Sequence, residues 1–451
     1  MSNHTTLAMT AVGLREHAKK IGQAHTRWEA PPKTIMIVTK LHDPALVALT
    51  VDAARWLKTL GMTVLLQREL LEQSFAADPD PNSDSDSPAE HRHDTTTAAA
   101  AADAAADASD TTGAAAAAGA AGAAAFDPLT ASHASIASFA SMASMASVSS
   151  LASEESSLVS DSLAASAASA AAAPRSDSPR SPEDEFGFWD EAFCASPAAS
   201  EVDIVVTFGG DGTVLFAAWL FQQKVPPIVP FNLGSLGFLT VFDHAAFKAS
   251  LLRVLQSDET GLRMNFRMRF SCTVRRKPRS DGAPALDDGA VYNIINDLVV
   301  DRGPSPYLSQ LELYGNEKHL TTVQADGLVI ATPTGSTAYS LSAGGSVVHP
   351  DVSAILVTPI CPHTLSFRPM ILPDTMDVKI VVPRDSRATA WVSFDGRHRV
   401  QLQPGDSIQV CASKYPVPTV CFKDQSSDWF HGLEECLAWN RRERQKKLTL
   451  S

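Results

Sequence analysis

Phe208-Gly209-Gly210-Asp211-Gly212-Thr213 sets a carboxylate and a hydroxyl among three glycines, directly after the apolar run Ile204-Val205-Val206-Thr207. Glycines let a backbone approach an anion and turn its N–H groups toward it. The helix expected from Val214 to Phe221 adds the positive end of its dipole. That combination is a cradle for phosphate. A carboxylate beside phosphate is unfavourable unless it takes a proton from an attacking hydroxyl or holds a metal ion. Taken alone, the turn is equally well a loop with good turn chemistry. A second unusual stretch runs from Asp326 through the strand-like Gly327–Ala331 into the hydroxyl- and glycine-rich turn Thr332-Pro333-Thr334-Gly335-Ser336-Thr337-Ala338-Tyr339-Ser340-Leu341-Ser342.

Both turns need rigid elements behind them. Ile35–Val38 reads as a buried strand and Met62–Leu66 as a second. Between them Leu46, Leu49, Ala53, Trp56, Leu57 and Leu60 recur at helical spacing before Gly61. With Ile204–Phe208 and Pro227–Phe231 this makes a parallel α/β sheet. Ligands of such sheets sit outside the carboxyl ends of the strands, where Gly209–Thr213 and the Asn232–Gly237 turn both fall. After Thr260 the period becomes two. Phe266, Met268, Phe270, Cys272 and Val274 alternate with Arg267, Arg269, Ser271, Thr273 and Arg275, which predicts one half-buried strand with a solvated polar face. Short strands at Val291–Val300, Leu308–Tyr314, Gly327–Ala331, Val378–Val382, Ala390–Phe394, Ser407–Cys411 and Thr419–Phe422 make this part all-β, a sandwich. Trp429, Leu433 and Leu437 mark a last helix before the basic tail Arg441–Lys447.

Composition is uneven along the 451 residues. From Asp78 to Ser200 there are 19 acidic and 3 basic residues in an Ala- and Ser-rich context, which leaves 34 basic and 31 acidic elsewhere, so the net charge of −13 belongs to that stretch. Too little apolar surface is present there to offset chain entropy, and a disordered acidic insert is expected. The expected organisation is a flexible segment at 1–32, an α/β domain of 33–75 and 201–258, the insert at 76–200, a sandwich at 259–422, and a helix and tail at 423–451. Inside the insert, Phe186-Gly187-Phe188-Trp189 is an aromatic island suited to docking on the fold, and Ser178 and Ser181 precede prolines. No run approaches the roughly 18 residues of a membrane span. The N-terminal stretch lacks a secretory core, and Glu16 among Arg15, Lys19 and Lys20 speaks for the cytosol over a mitochondrion. Arginines at period two without interleaved aromatics do not suggest nucleic acid. Cys194, Cys272, Cys361, Cys411, Cys421 and Cys436 form no CxxC pair and read as reduced core residues.

The two turns, with Leu233–Thr240, Asn296-Asp297, Asp301–Ser305 and Pro362–Pro369, make the chain resemble an NAD kinase of the eukaryotic type. The resemblance covers about residues 33–75 and 201–440 and fails across the insert. The glycine turn is shared with diacylglycerol and sphingosine kinases, whereas the Thr332–Tyr339 turn points narrowly to NAD kinases. The resemblance implies an N-terminal Rossmann-like domain, a C-terminal sandwich that binds NAD, and a last helix returning to the first domain. It implies that ATP phosphorylates the 2′-hydroxyl of the adenosine ribose of NAD, with Asp211 as base. Gly209, Gly210, Gly212 and Thr213 would meet the phosphates. Asp211, Gly212, Asn296, Asp297, Asp326, Thr337, Ala338, Tyr339 and Ser342 would line the NAD site. Mg²⁺ is expected on the ATP phosphates rather than in a site built by the protein, and a homo-oligomer is expected, with neither nucleic acid nor membrane as partner. Two departures stand out: Asp297 replaces the family's Glu, and Ala331 its Ser. Tyr307 and Arg397 match variable substrate contacts, while His349, His363 and Arg368 read as packing or capping residues. A lipid kinase of the related fold and a non-catalytic dinucleotide-binding regulator are the alternatives. The first should lack the Thr334–Ser342 turn, and the intact Asp211 argues against the second.

Overall fold

The computed structural model describes residues 25–40, 43–70, 186–256, 261–277 and 287–439. The tail Arg441–Lys447, Ser178 and Ser181 and most of the expected insert lie outside them. The chain opens with β1 (Thr34–Thr39), α1 (Pro44–Thr59), β2 (Thr63–Gln67), β3 (Gly187–Trp189), α2 (Glu191–Ala195), β4 (Ile204–Phe208), α3 (Asp211–Leu220), β5 (Ile228–Asn232), β6 (Phe242–Asp243) and α4 (Phe247–Gln256). It continues through β7 (Met264–Arg267), β8 (Phe270–Arg275), β9 (Val291–Ile294), β10 (Asp297–Asp301), β11 (Ser309–Gly315), β12 (Lys318–Ala325), β13 (Gly327–Ala331) and α5 (Tyr339–Ser342). It closes with β14 (Ala354–Ile360), β15 (Met370–Pro373), β16 (Val378–Val381), β17 (Ala390–Phe394), β18 (Arg397–Leu402), β19 (Ser407–Ala412), β20 (Val417–Val420) and α6 (Gln425–Leu437).

The expected α/β part plus all-β part is what forms. One sheet runs in the order β3-β2-β1-β4-β5-β20-β7, with β6 beside β5, and only β7 is antiparallel to its neighbour. β4 and β5 are buried along their whole length, as parallel strands covered on both faces must be. Helix α1 begins where Asp43 accepts from the amides of Ala45 and Leu46 with Pro44 in the first turn, and Gly61 (φ 80°) ends the segment. The strand order reverses between β1 and β4, and the Gly209 turn lies at the carboxyl end of β4, where such sheets open a crevice.

The second part is a sandwich of two antiparallel six-stranded sheets, β15-β14-β13-β10-β17-β18 and β12-β11-β16-β19-β8-β9. Leu298, Ile330 and Phe394 of one sheet share a core with Phe270, Leu313 and Ile380 of the other. Helix α6 returns to the α/β part: Gly432 packs toward Phe238, and the Cys436 thiol lies 3.2 Å from the Leu236 carbonyl.

Several expectations require correction. Residues 264–275 form two strands in different sheets, since the chain crosses from the α/β sheet to the sandwich at Met268-Arg269. The side-chain alternation therefore does not follow the polar-face reading: Phe266 is exposed, and Arg267 and Arg269 are buried. The final strand, expected in the sandwich, belongs to the α/β sheet, so the sandwich is bounded by β7 and β20 rather than by 259 and 422. The expected strand Val291–Val300 is broken by a bend at Ile295-Asn296. The described residues of the expected insert, from Phe186 on, join the α/β part. β3 extends the parallel sheet, and Trp189, 2% exposed, donates its indole N–H to the Ile37 carbonyl at 2.9 Å. All six cysteines are free, but Cys361 and Cys436 are exposed rather than core residues. No helix among the described residues is long and apolar enough to cross a membrane.

Trp189→Ala removes a buried indole and orphans a carbonyl, and should lower stability by about 3–5 kcal/mol in denaturant titration.

Candidate functional site

Asp211 is the first residue of α3, and its carboxylate is gripped by one loop. Oδ2 accepts from the Phe238 amide at 3.0 Å, and Oδ1 from the Leu239 amide at 3.0 Å and the Thr240 hydroxyl at 3.3 Å. A Cβ on Gly237 would collide with Asp211 Oδ1, so glycine is what lets the loop close on the acid. A Cβ on Gly209 (φ 151°) would collide with the Thr213 hydroxyl. Gly210 caps α3 with no side-chain hydrogen bond, and a Cβ on either Gly210 or Gly212 would meet nothing within 4 Å. The helix therefore presents open N–H groups beside a fixed carboxylate.

The far end of α3 is held as firmly. The Arg269 guanidinium donates to the carbonyls of Phe221 at 2.9 Å, Gln223 at 2.7 Å, Ala218 at 3.4 Å and Tyr415 at 2.6 Å. Burial pushes its pKa down to about 10, partly opposed by nearby Asp395. Between the two ends, Val214, Ala217 and Ala218 share an apolar cluster with Ile295, which ties α3 to the β9–β10 bend.

That bend carries Asn296 and Asp297, and pairing of β10 with β13 sets Asp297 opposite Ala331. The strand then delivers the chain to the Thr334–Thr337 turn and α5, and a Cβ on Gly335 would collide with the Asn296 carbonyl. Asn296-Asp297 and Thr337-Ala338-Tyr339 are thus brought together, and the Tyr339 amide donates to the Asp297 carboxyl. Tyr339 is 44% exposed. Its phenol is raised chiefly by burial, then by Asp301, Cys361, Asp297 and Asp326. Asp326 pairs with Arg302 at 3.0 Å, and Asp301 with Arg399 at 2.7 Å. Ser342 sits exposed at the end of α5. Asp211, Gly209, Gly210, Gly212 and Thr213 form the other group, linked to this one through the body of α3.

Asp297 is 6% exposed. Its carboxyl is pushed up to about 7, first by burial and then by Asp395. Asp395 is a residue the sequence reading missed. It accepts from the amides of Ile295 at 2.8 Å, Asn296 at 2.8 Å and Asp297 at 3.0 Å. The available signal was Phe394-Asp395-Gly396-Arg397, an Asp-Gly pair between two strands, which specifies a two-residue hairpin. Of the weaker candidates, Tyr307 is 71% exposed and Arg397 lies over the Phe216 ring at 5.0 Å. His349 packs edge-on against Trp429, and His363 and Arg368 are exposed.

Models of the ATP-NAD kinase N-terminal domain and of the ATP-NAD kinase C-terminal domain match residues 135–260 and 295–422, together more than half of the chain. An ATP-NADH kinase of Saccharomyces cerevisiae is 52% identical over 266 residues, which are 57% of this chain and 52% of that protein. An uncharacterized kinase of Schizosaccharomyces pombe is 43% identical over 270 residues, 56% of this chain and 67% of that protein. The chain spans about half the length of the first of these and two thirds of the second. A crystal structure of a yeast NADH kinase in complex with NADH superposes with a TM-score of 0.62 at 26% identity, covering 93% of this chain and 92% of that one.

The folded pKa of Asp297 lies above the ordinary value near 4, so the native state holds more protons than the unfolded one up to about pH 7. Stability therefore falls as pH rises through that window. Asp297→Asn should melt higher than the parent at about pH 8, and the advantage should shrink at about pH 5.

Proposed function

Because the chain belongs to the ATP-NAD kinase family, we propose that it transfers the γ-phosphoryl group of ATP to the 2′-hydroxyl of the adenosine ribose of NAD, giving NADP. The observation that carries the reading is the placement of Asp211 at the open N-terminus of α3. A carboxylate has about four acceptor positions on its two oxygens, and three are taken by Phe238, Leu239 and Thr240. One remains for the ribose hydroxyl. Asp211 takes that proton as the oxygen attacks phosphorus, while the ATP β-oxygen leaves with the pair of electrons from the broken P–O bond.

Gly210 and Gly212 serve the phosphates through backbone N–H groups and Thr213 through its hydroxyl, while Gly209, whose amide is donated to the Phe231 carbonyl at 3.0 Å, leaves room for the Thr213 side chain beside them; such donors are worth most where water is excluded. Magnesium arrives with ATP and is ligated by its phosphates. Asn296, Asp297, Asp326, Thr337, Ala338, Tyr339 and Ser342 bind the dinucleotide. The Asp297 carboxyl, short by one methylene against the family pattern, keeps an acceptor under the Tyr339 amide. Two relatives are named as NADH kinases, and we take both redox forms as substrates. Exposure of Tyr339 and Ser342 leaves the pocket open on one side, which suits completion by a second copy in a homo-oligomer. We retain the cytosol as the compartment.

Purified protein supplied with ATP, Mg²⁺ and NAD should form NADP, read through an NADP-specific dehydrogenase. Asp211→Asn should retain dinucleotide binding and lose turnover by about 10²-fold or more. Equal turnover in both proteins would remove the base assignment. Gly237→Ala, which forces a methyl against Asp211 and the buried Thr240, should cut kcat and also lower stability by about 1–3 kcal/mol in denaturant titration.

A further inference from the structure

The β9–β10 bend is saturated by two residues: Asp395, which lies outside the site motifs, and Thr332, the first residue of the Thr332–Ser342 turn. Asp395 takes the amides of Ile295, Asn296 and Asp297, and donates its own amide to the Asp297 carbonyl at 2.9 Å. From the other side, Thr332 donates its hydroxyl to the Ile295 carbonyl at 2.5 Å and its amide to the Asn296 carbonyl at 2.9 Å. All six backbone polar groups of the three residues are thereby paired, which leaves the bend no local alternative conformation.

The same hairpin reaches α3. Asp395 (φ 49°) and Gly396 (φ 71°) make the two-residue turn between β17 and β18. Immediately after it, Arg397 lies over Phe216 at 5.0 Å and His398 stacks on Trp219 at 4.9 Å, both partners being on α3. Behind the turn, the Asp395 carboxylate lies close enough to Arg269 for each to stabilise the other's charge, and Arg269 holds the C-terminal carbonyls of α3.

We propose that Asp395 is a positioning residue for phosphoryl transfer: it fixes the dinucleotide-binding bend Asn296-Asp297 relative to the phosphate-binding helix α3. The proposal rests on the kinase reading above. A misplacement on the order of 1 Å between two bound reactants is enough to cost a large part of the rate, so a rigid joint between the two half-sites has a catalytic purpose. Thr332 is the opposing anchor of the same joint.

The test uses the full chain and two isosteric variants. In Asp395→Asn, one carboxylate oxygen becomes an NH₂ that cannot accept from a backbone amide. In Thr332→Val, the hydroxyl that holds the Ile295 carbonyl and accepts from the Gly335 amide at 3.1 Å is lost. Initial rates are measured with NAD varied at saturating ATP–Mg²⁺ and with ATP varied at saturating NAD, and NADH binding is followed by its fluorescence. Both variants should raise the KM for NAD and the Kd for NADH roughly tenfold or more, the scale of losing a charge-assisted hydrogen bond, and leave the KM for ATP unchanged. An unchanged NAD KM in a folded variant, or equal rises in both KM values, overturns the proposal. If Asp395→Asn does not fold, Thr332→Val decides. If the parent binds NADH but makes no product, the kinase reading fails and the NADH titration alone decides the positioning role.

Discussion

Helix α3 is fixed at both ends by charge, and the site is built on that constraint. At its N-terminus Asp211 is held by three donors from the Phe238–Thr240 segment, and at its C-terminus Arg269 gathers carbonyls from Ala218, Phe221 and Gln223. Both charges suit the dipole, negative at the start of the helix and positive at its end. Burying a guanidinium is costly, which is why its pKa falls to about 10, and the carbonyls that surround it offset the cost. On the proposed kinase reading, a helix secured this way would not drift when a polyanion reaches its N-terminal end; the glycines would set how near the anion comes, and the helix where.

The securing groups are contributed from far along the chain. Arg269 comes from the crossover between sheets, and the loop on Asp211 is itself backed by α6 through Phe238 and Leu236. The loop that holds Asp211 is therefore buttressed by a helix that the chain reaches only after it has left the α/β sheet, built the sandwich and returned through β20. The sandwich contributes the Asn296-Asp297 bend to the same assembly, with Ile295 packed among the apolar residues of α3. The fold is bipartite in architecture and continuous at the site.

What could be read from the sequence follows from where side chains sit. β4, β13 and β17 have the bounds expected of them: β4 and β13, buried along their whole length, are apolar runs closed by glycine or a turn, and β17 alternates buried and half-buried residues up to the Asp395-Gly396 turn. The glycine turn and the Thr334–Ser342 turn were legible because backbone proximity to a ligand or to another strand requires residues without a Cβ, as at Gly209 and Gly335. β12 and β18 were not legible. They are edge strands that begin with exposed polar side chains, Lys318 and His319 in one and Arg397 to Arg399 in the other, and each carries apolar alternation only at its end, Val323 with Ala325 and Val400 with Leu402. Arg267 and Arg269 misled for a different reason. Period-two reasoning assumes one sheet, and the chain changes sheets between β7 and β8, so basic residues assigned to solvent turn inward where carbonyls await one of them. Asp395 was hidden because a turn signal says that the chain reverses, not what the turn's side chain will grip.

Asp297 shows what the site costs. A carboxyl that is 6% exposed, beside a second buried carboxyl at Asp395, gains a hydrogen bond from the Tyr339 amide but no cation, since the nearby arginines are committed to Asp301 and Asp326. An aliphatic residue would pack there with less strain. A buried acid left without a cation, in a strand otherwise apolar, is a local conflict of the kind that folded proteins tolerate where a ligand resolves it. On the kinase reading proposed above, a ribose hydroxyl would supply the interaction that the fold withholds and would favour the ionised form. Dinucleotide binding and ionisation of Asp297 would then be linked, each strengthening the other. A carboxyl pushed up to about 7 in the protein alone would in that case become an acceptor that rewards the substrate.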